Sequence, residues 1–219
     1  MTAPTIIAAE PAGRRAKTRE ALVAAGLRLL AAKPIDAISI DEIVQEAGVA
    51  KGSFYNHFDD KDGLARTIAR RIRVDVEREV DEANRGVEDP ARRVVRAVCV
   101  YIRHALTDRQ RASVLLRLHA DASHADAPMN RGVLADVSDG LAKGRFAIPS
   151  AEVGVLLIMG VAQMALSRAH AEPAPEVAIR LGQQLCALIL RGLGLTPGEA
   201  DAIAEQATRE IVGTARGAA

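Results

Sequence analysis

The chain is predicted to be all-α with about ten helices, and three observations carry that expectation. Apolar residues recur at offsets of three and four along most of its 219 residues. Capping signals and prolines punctuate those stretches. No run alternates apolar and polar residues between Gly or Asn-Gly turns, as a sheet would require. Composition agrees, being 49% apolar and 26% charged but only 2% aromatic, with three Phe, two Tyr and no Trp. That supports a packed core, excludes a disordered or collagenous chain, and disfavours an immunoglobulin sandwich or a propeller. A net charge of +1 excludes a uniformly basic protein that coats nucleic acid or an acidic membrane. Cys99 and Cys186 both lie in apolar helical patterns and read as buried thiols in a reducing cytoplasm.

Residues 1–13, rich in Ala and Pro, read as a disordered arm. Their apolar run is too short for a signal peptide, and the charges follow it rather than precede it. A helix from Arg14 places Leu22, Ala25, Gly26 and Leu29 on one face, and Pro34 ends it. Ser39 and Glu42 form a capping box, S-x-x-E, ahead of Ile40, Ile43, Val44 and Ala47. Gly48 stands where a left-handed C-terminal cap is wanted. A second short helix follows over 51–57. Two short helices about a glycine turn form a helix-turn-helix pattern, and neither is long enough to stand without the helix from Arg14. Residues 14–60 are thus one three-helix domain.

A long connecting helix over 61–84 carries Leu64, Ile68, Ile72, Val76 and Val80. Asp89–Pro90 caps the next helix, with Val94, Val95, Val98, Cys99, Ile102 and Leu106 inward. Further helices are expected near 109–120, 129–143, 151–170 (capped by Ser150) and 176–191, the last two separated by Pro173 and Pro175. Thr196–Pro197–Gly198–Glu199 predicts a capping box ahead of a final helix. The most apolar stretch, 153–166, falls short of the roughly 20 residues that span a bilayer.

The segment SIDEIVQEAGVAKGSFYNHFDDKDGL, Ser39 to Leu64, closely resembles the DNA-binding domain of the TetR (tetracycline repressor) family of bacterial regulators. Ile43, Ala47–Gly48–Val49, Gly52–Ser53, Tyr55, His57–Phe58, Lys61 and Leu64 carry the resemblance. Two departures are Ala50, where the family often has a capping Ser or Thr, and Val44, in place of a smaller Ala. In a helix-turn-helix the second helix presents its N-terminal residues to base edges in the major groove. Here those are Lys51, Gly52, Ser53, Tyr55 and Asn56. Lys51 suits guanine or phosphate and Asn56 suits adenine, while Gly52 allows close approach. Tyr55, His57 and Lys61 are placed for phosphates, and Ser39 for a phosphate in competition with its capping role. Phe54 and Phe58 read as core anchors.

Residues 1–65 hold eight Lys/Arg and nine Asp/Glu, so DNA affinity needs local positive charge. Arg14, Arg15, Lys17 and Arg19 supply one such cluster. Arg66, Arg70, Arg71 and Arg73 read instead as a solvated face or as partners of Asp75, Glu77 and Glu79.

Residues 61–219 are expected to form a ligand-binding and dimerisation domain. The 151–170 and 176–191 helices look like the family's dimerising pair, with Gly154 and Gly160 permitting close approach. Tyr101, Arg103, His104, His119, Phe146, Met159 and Gln163 are the candidate ligand contacts. With so few aromatics, an aliphatic pocket for an apolar effector is expected rather than an aromatic cage. The doubled His-Ala-Asp at 119–121 and 124–126 matches no ligand spacing, so no metal or cofactor is expected.

The resemblance implies a cytoplasmic, homodimeric repressor released from a palindromic operator by a small effector. An activator, an effector-independent regulator and a helical protein-interaction module are the alternatives. No G-x-S-x-G, H-E-x-x-H or Walker pattern points to an enzyme.

Overall fold

A computed structural model describes residues 12–118 and 130–217. Among these lie ten α-helices and no strand, the all-α class that the periodicities predict. The chain divides into two compact units between Arg70 and Arg71.

The first unit comprises α1 (Ala12–Ala32), a 3-10 turn (Ile35–Ala37), α2 (Ile40–Ala47), α3 (Lys51–Tyr55) and the opening turns of α4 (Lys61–Ala83). The capping box before α2 forms at both ends. The Glu42 amide donates to Ser39 Oγ at 3.2 Å, and the Ser39 amide to Glu42 Oε2 at 2.9 Å. Gly48 adopts φ 66°, a left-handed geometry that favours glycine, and its amide closes back on the carbonyls of Gln45 and Val44. The second short helix, α3, is shorter than expected. It ends at Tyr55, and no side chain caps its start at Ala50, the departure noted from sequence.

Leu22, Ile43, Phe54, Leu64 and Ile68 form the core of this unit, each at most 1% exposed. Each contributes roughly 1.5–3 kcal/mol by leaving water. Gly26 lets α1 lie close to α4, since a Cβ there would stand 2.8 Å from Ile68 Cδ1 and 2.9 Å from Leu64 Cδ2.

The second unit holds the rest of α4 and then α5 (Pro90–Thr107), α6 (Arg109–Arg117), α7 (Arg131–Ala142), α8 (Ala151–Ala171), α9 (Pro175–Gly192), α10 (Pro197–Ile211) and a closing 3-10 turn (Gly213–Gly217). The central element is α5, packed by α7, α8, α9 and α10. Asp89 caps it by accepting from the Ala91 amide, and Ser150 caps α8 by accepting from Val153, both as expected.

The capping box expected at Thr196 is absent. Glu199 turns instead to Arg145, 2.7 Å away, which also grips Asp89 through two hydrogen bonds at 2.9 and 3.0 Å. A guanidinium outcompetes a neutral cap for a carboxylate. Cys99 and Cys186 are buried free thiols with sulfurs 3.9 Å apart.

At 21 residues, α8 is longer than its most apolar stretch, and by length and composition alone it would pass as a membrane span, as some core helices do. Gly154, expected at an intersubunit surface, packs inward, where a Cβ would meet Ile148 Cδ1 at 2.7 Å and Val137 Cγ1 at 2.8 Å. Gly160 is open, with nothing within 4 Å of an added Cβ.

Candidate nucleic-acid interface and ligand cavity

The outward face of α3 is set by what the helix buries. Phe54 is fully buried and Phe58 nearly so, their ring centroids 5.8 Å apart. With these two anchored, Lys51, Gly52, Tyr55 and Asn56 point to solvent, while Ser53 and His57 are half-buried. Tyr55 keeps 54% of its surface exposed and stands edge-on to Phe54. Tyr55 thus presents an apolar ring and a hydroxyl together to solvent.

Surrounding charges modify this face. Lys51 pairs with Asp41 at 2.8 Å, which raises its pKa through that hydrogen bond. Arg14, Arg15 and Lys17 are exposed at the start of α1, and Arg15 donates to the Asn56 carbonyl at 3.3 Å. Arg19 lies over the Phe58 ring, 5.3 Å from its centroid.

Two residues expected at phosphates are occupied internally. The Ser39 hydroxyl donates to Glu42 Oε2 at 3.1 Å while capping α2. The Lys61 ammonium donates to the carbonyls of Ile35 and Ile38 at 3.0 Å each, with Asp36 at 3.5 Å. The Ile35 carbonyl also accepts from the Ile38 amide at 3.0 Å, so the lysine at the head of α4 adds a second donor there and ties the 3-10 turn to the entry of α2. That turn is too short to produce a period, so the sequence carried no sign of Lys61's targets. The first amides of α4 are partly engaged as well, since Gly63 donates to Asp60 at 2.6 Å.

In the second unit, α4, α5, α6 and α8 line a partly open cavity, narrow inside, with about 530 Å³ of empty space when the solvent at its opening is counted. Tyr101, Met159 and Gln163, three of the expected ligand contacts, converge on it. Leu115, Ala162 and Leu166 complete an apolar wall, and Arg73 and Glu77 bring charge from α4. In the sequence these two read as a solvated face or as ion-pair partners. Their i, i+4 spacing, which sets both on one side of the helix, was the available signal.

Arg73 donates to the Leu118 carbonyl at 2.9 Å. Neither the Tyr101 hydroxyl nor the Gln163 amide hydrogen-bonds to any described residue. Burial, and then the negative charge of Glu77, push the Tyr101 phenol up to about 12. Glu77 itself is raised, first by burial and next by Asp81, against the opposing charges of Arg73 and Arg131.

The other expected contacts lie elsewhere. Arg103 pairs with Glu79 at 2.9 Å. His104 is buried in the helical core, its pKa lowered by burial. Phe146 fills the space over Gly140, where a Cβ would come within 2.1 Å of its ring. These three fill core or pair at its edge, so the cavity is narrower in membership than the sequence suggested. His119 and the doubled His-Ala-Asp lie outside the described residues. Among the described residues no group of three or more His, Cys, Asp or Glu is arranged to hold a metal.

A helix-turn-helix with an anchored, outward-facing second helix, joined to a helical unit with its own cavity, defines a DNA-binding transcription regulator. Residues 22–73 match the model of the bacterial regulatory proteins of the tetR family, and residues 89–206 that of the tetracycline repressor-like C-terminal domain. The chain belongs to the TetR family of bacterial regulators. An uncharacterized HTH-type transcriptional regulator of Haemophilus influenzae is 46% identical over 52 residues, 23% of this chain and 25% of that one. The match therefore spans about a quarter of that relative's length. Among solved structures, RolR in complex with resorcinol is 26% identical, with a TM-score of 0.69 over 90% of this chain and 97% of that one. An ArpA-like gamma-butyrolactone receptor, 17% identical, shares the fold at a TM-score of 0.60 over 90% of this chain and 98% of that one.

Proposed function

We propose that the chain is a cytoplasmic, homodimeric repressor that grips a palindromic operator with two copies of α3 and releases it when a small effector fills the cavity of the second unit. The observation that carries the reading is the face of α3, where Phe54 and Phe58 are buried and Lys51, Gly52, Tyr55 and Asn56 are presented together. In this reading Lys51 and Asn56 address base edges, and Gly52 admits the backbone to the groove. Tyr55 and His57 hold phosphates, with Arg14, Arg15 and Lys17 adding charge. Ser53 lies at the rim of the contact. Residues 14–60 serve as the DNA-binding domain and 61–219 as the effector and dimerisation domain, in a family whose members are typically not enzymes.

Dimerisation is supported by an apolar stripe along α8 and α9, which pack on each other. Val153, Leu156, Met164 and Leu188 remain 44–63% exposed on them. Such a run of large apolar side chains marks an interaction surface. Two-fold pairing matches the symmetry of a palindromic operator.

The cavity adjusts the expectation of an apolar effector, because Arg73, Glu77, Tyr101 and Gln163 share its wall with Met159 and Leu115. The resorcinol-binding relative supports a small effector that carries polar groups. The operator reading is tested by fluorescence anisotropy with DNA flanking the chain's own gene. Saturable binding that is lost in Tyr55→Ala and Lys51→Ala, with helical circular dichroism intact, supports it. Unchanged binding by both variants overturns it.

A further inference from the structure

Resting on the cavity as the effector site, we infer that it takes a compact, uncharged molecule with an apolar body and at least two hydroxyl groups, read jointly by Tyr101, Gln163 and Glu77. Tyr101 and Gln163 can each donate and accept, and Glu77 accepts. All three line one cavity, and none makes a hydrogen bond to a described residue. Water reaches these groups through the open side of the cavity, and a ligand that displaces it without loss must reproduce its hydrogen bonds. Glu77 is close enough for its charge to raise the Tyr101 phenol, yet no hydrogen bond joins the two. A ligand hydroxyl donating to Glu77 and a second meeting Tyr101 or Gln163 would occupy that gap. Opposite them, Leu115, Met159 and Leu166 offer a surface suited to a ring or a short aliphatic body.

The charges argue against a carboxylate ligand. Arg73 is the cation on the wall, but it donates to the Leu118 carbonyl and faces the negative charge of Glu77 one turn away. Arg131 and Asp81 act on Glu77 with opposite signs, so neither tilts the balance decisively. An anionic ligand would meet Glu77 at the mouth, where that residue is exposed. Removing its charge would lift the barrier.

The test titrates full-length protein calorimetrically with 1,2-dihydroxybenzene, 1,4-dihydroxybenzene and benzoate. A dihydroxybenzene is expected to bind, and benzoate at least about tenfold more weakly, the scale of one lost or opposed hydrogen bond. Glu77→Gln and Tyr101→Phe should each weaken the dihydroxybenzene by about five- to tenfold. Glu77→Gln should also narrow the gap to benzoate, which a purely structural role would not do. Should Tyr101→Phe unfold, Glu77→Gln, changed at an exposed position, carries the test. Benzoate binding as tightly as the diols, variants that bind like the parent, or no diol binding at millimolar concentration each overturn the inference. Binding with the expected pattern that leaves operator affinity unchanged upholds it and overturns the effector reading instead.

Discussion

The Lys61 ammonium lies 3.0 Å from the Ile38 carbonyl oxygen, bracing the entry to α2 from the head of α4. Hydrogen bonds from a charged donor contribute about 1.5–3 kcal/mol when partly buried. Lys61→Met should therefore lower the stability of the chain by about 2 kcal/mol in urea unfolding. It should leave the salt dependence of operator binding unchanged, whereas Lys17→Ala, which removes a charge proposed to face phosphate, should reduce that slope by about one. Equal slope losses for both variants would return Lys61 to the phosphate contacts.

Asp41 places a carboxylate 2.8 Å from Lys51, on the face proposed to meet DNA. Exposed pairs of this kind are weak, because water and salt screen them. Asp41→Asn frees Lys51 and removes a charge that repels phosphate, so operator affinity should rise by up to about fivefold. Competition anisotropy at fixed salt reads this directly, and weaker binding would show that Asp41 positions Lys51 rather than competing for it.

Glu42 is held at about 2, against an ordinary 4.5, by the Lys33 hydrogen bond first and then by the Ser39 amide and hydroxyl. A depressed folded-state value means that this stabilisation is complete above about 4.5 and is lost as pH falls towards about 2. The melting-temperature difference between the parent and Glu42→Gln should therefore hold constant near neutrality and shrink through that acid window. A difference that grows on acidification would contradict the assignment.

Phe146 occupies the site a side chain at position 140 would need. Gly140→Ala should destabilise by about 1–3 kcal/mol, as overpacking does. Denaturant midpoints check this, and a neutral outcome would mean that the Phe146 ring swings aside without cost.

Leu188, 56% exposed on α9, is the most direct probe of the proposed dimer. Leu188→Lys should shift sedimentation towards monomer and abolish cooperative operator binding while leaving helical content intact. An unshifted sedimentation coefficient would move the interface elsewhere.

The helices were legible where a local rule decides them. Ser39 with Glu42, Gly48, Asp89–Pro90 and Ser150 each act within one turn, and each does what its chemistry predicts. Thr196 failed because a residue some 50 positions away, Arg145, claims Glu199. No local reading contains that competitor. The outward face of α3 was readable from spacing, since burying Phe54 and Phe58 leaves the alternate positions in solvent. The cavity was readable only in part. Tyr101, Met159 and Gln163 were expected there, whereas Arg73 and Glu77 were hidden among charges that look alike in sequence. Phe146 and His104 lie away from this cavity, and the sequence could not separate them from its wall, because burial and ligand contact leave the same trace in a helical period.

The scarcity of aromatic residues has an optical consequence. With no tryptophan, near-ultraviolet emission comes from two tyrosines alone. Tyr55 stands exposed on the recognition helix, and Tyr101 looks into the cavity. The chain thus carries one built-in chromophore for each of its two proposed binding events. Tyr55→Phe would silence the first, so that what remains reports on the cavity, and Tyr101→Phe would leave a molecule whose only signal comes from the DNA-facing side.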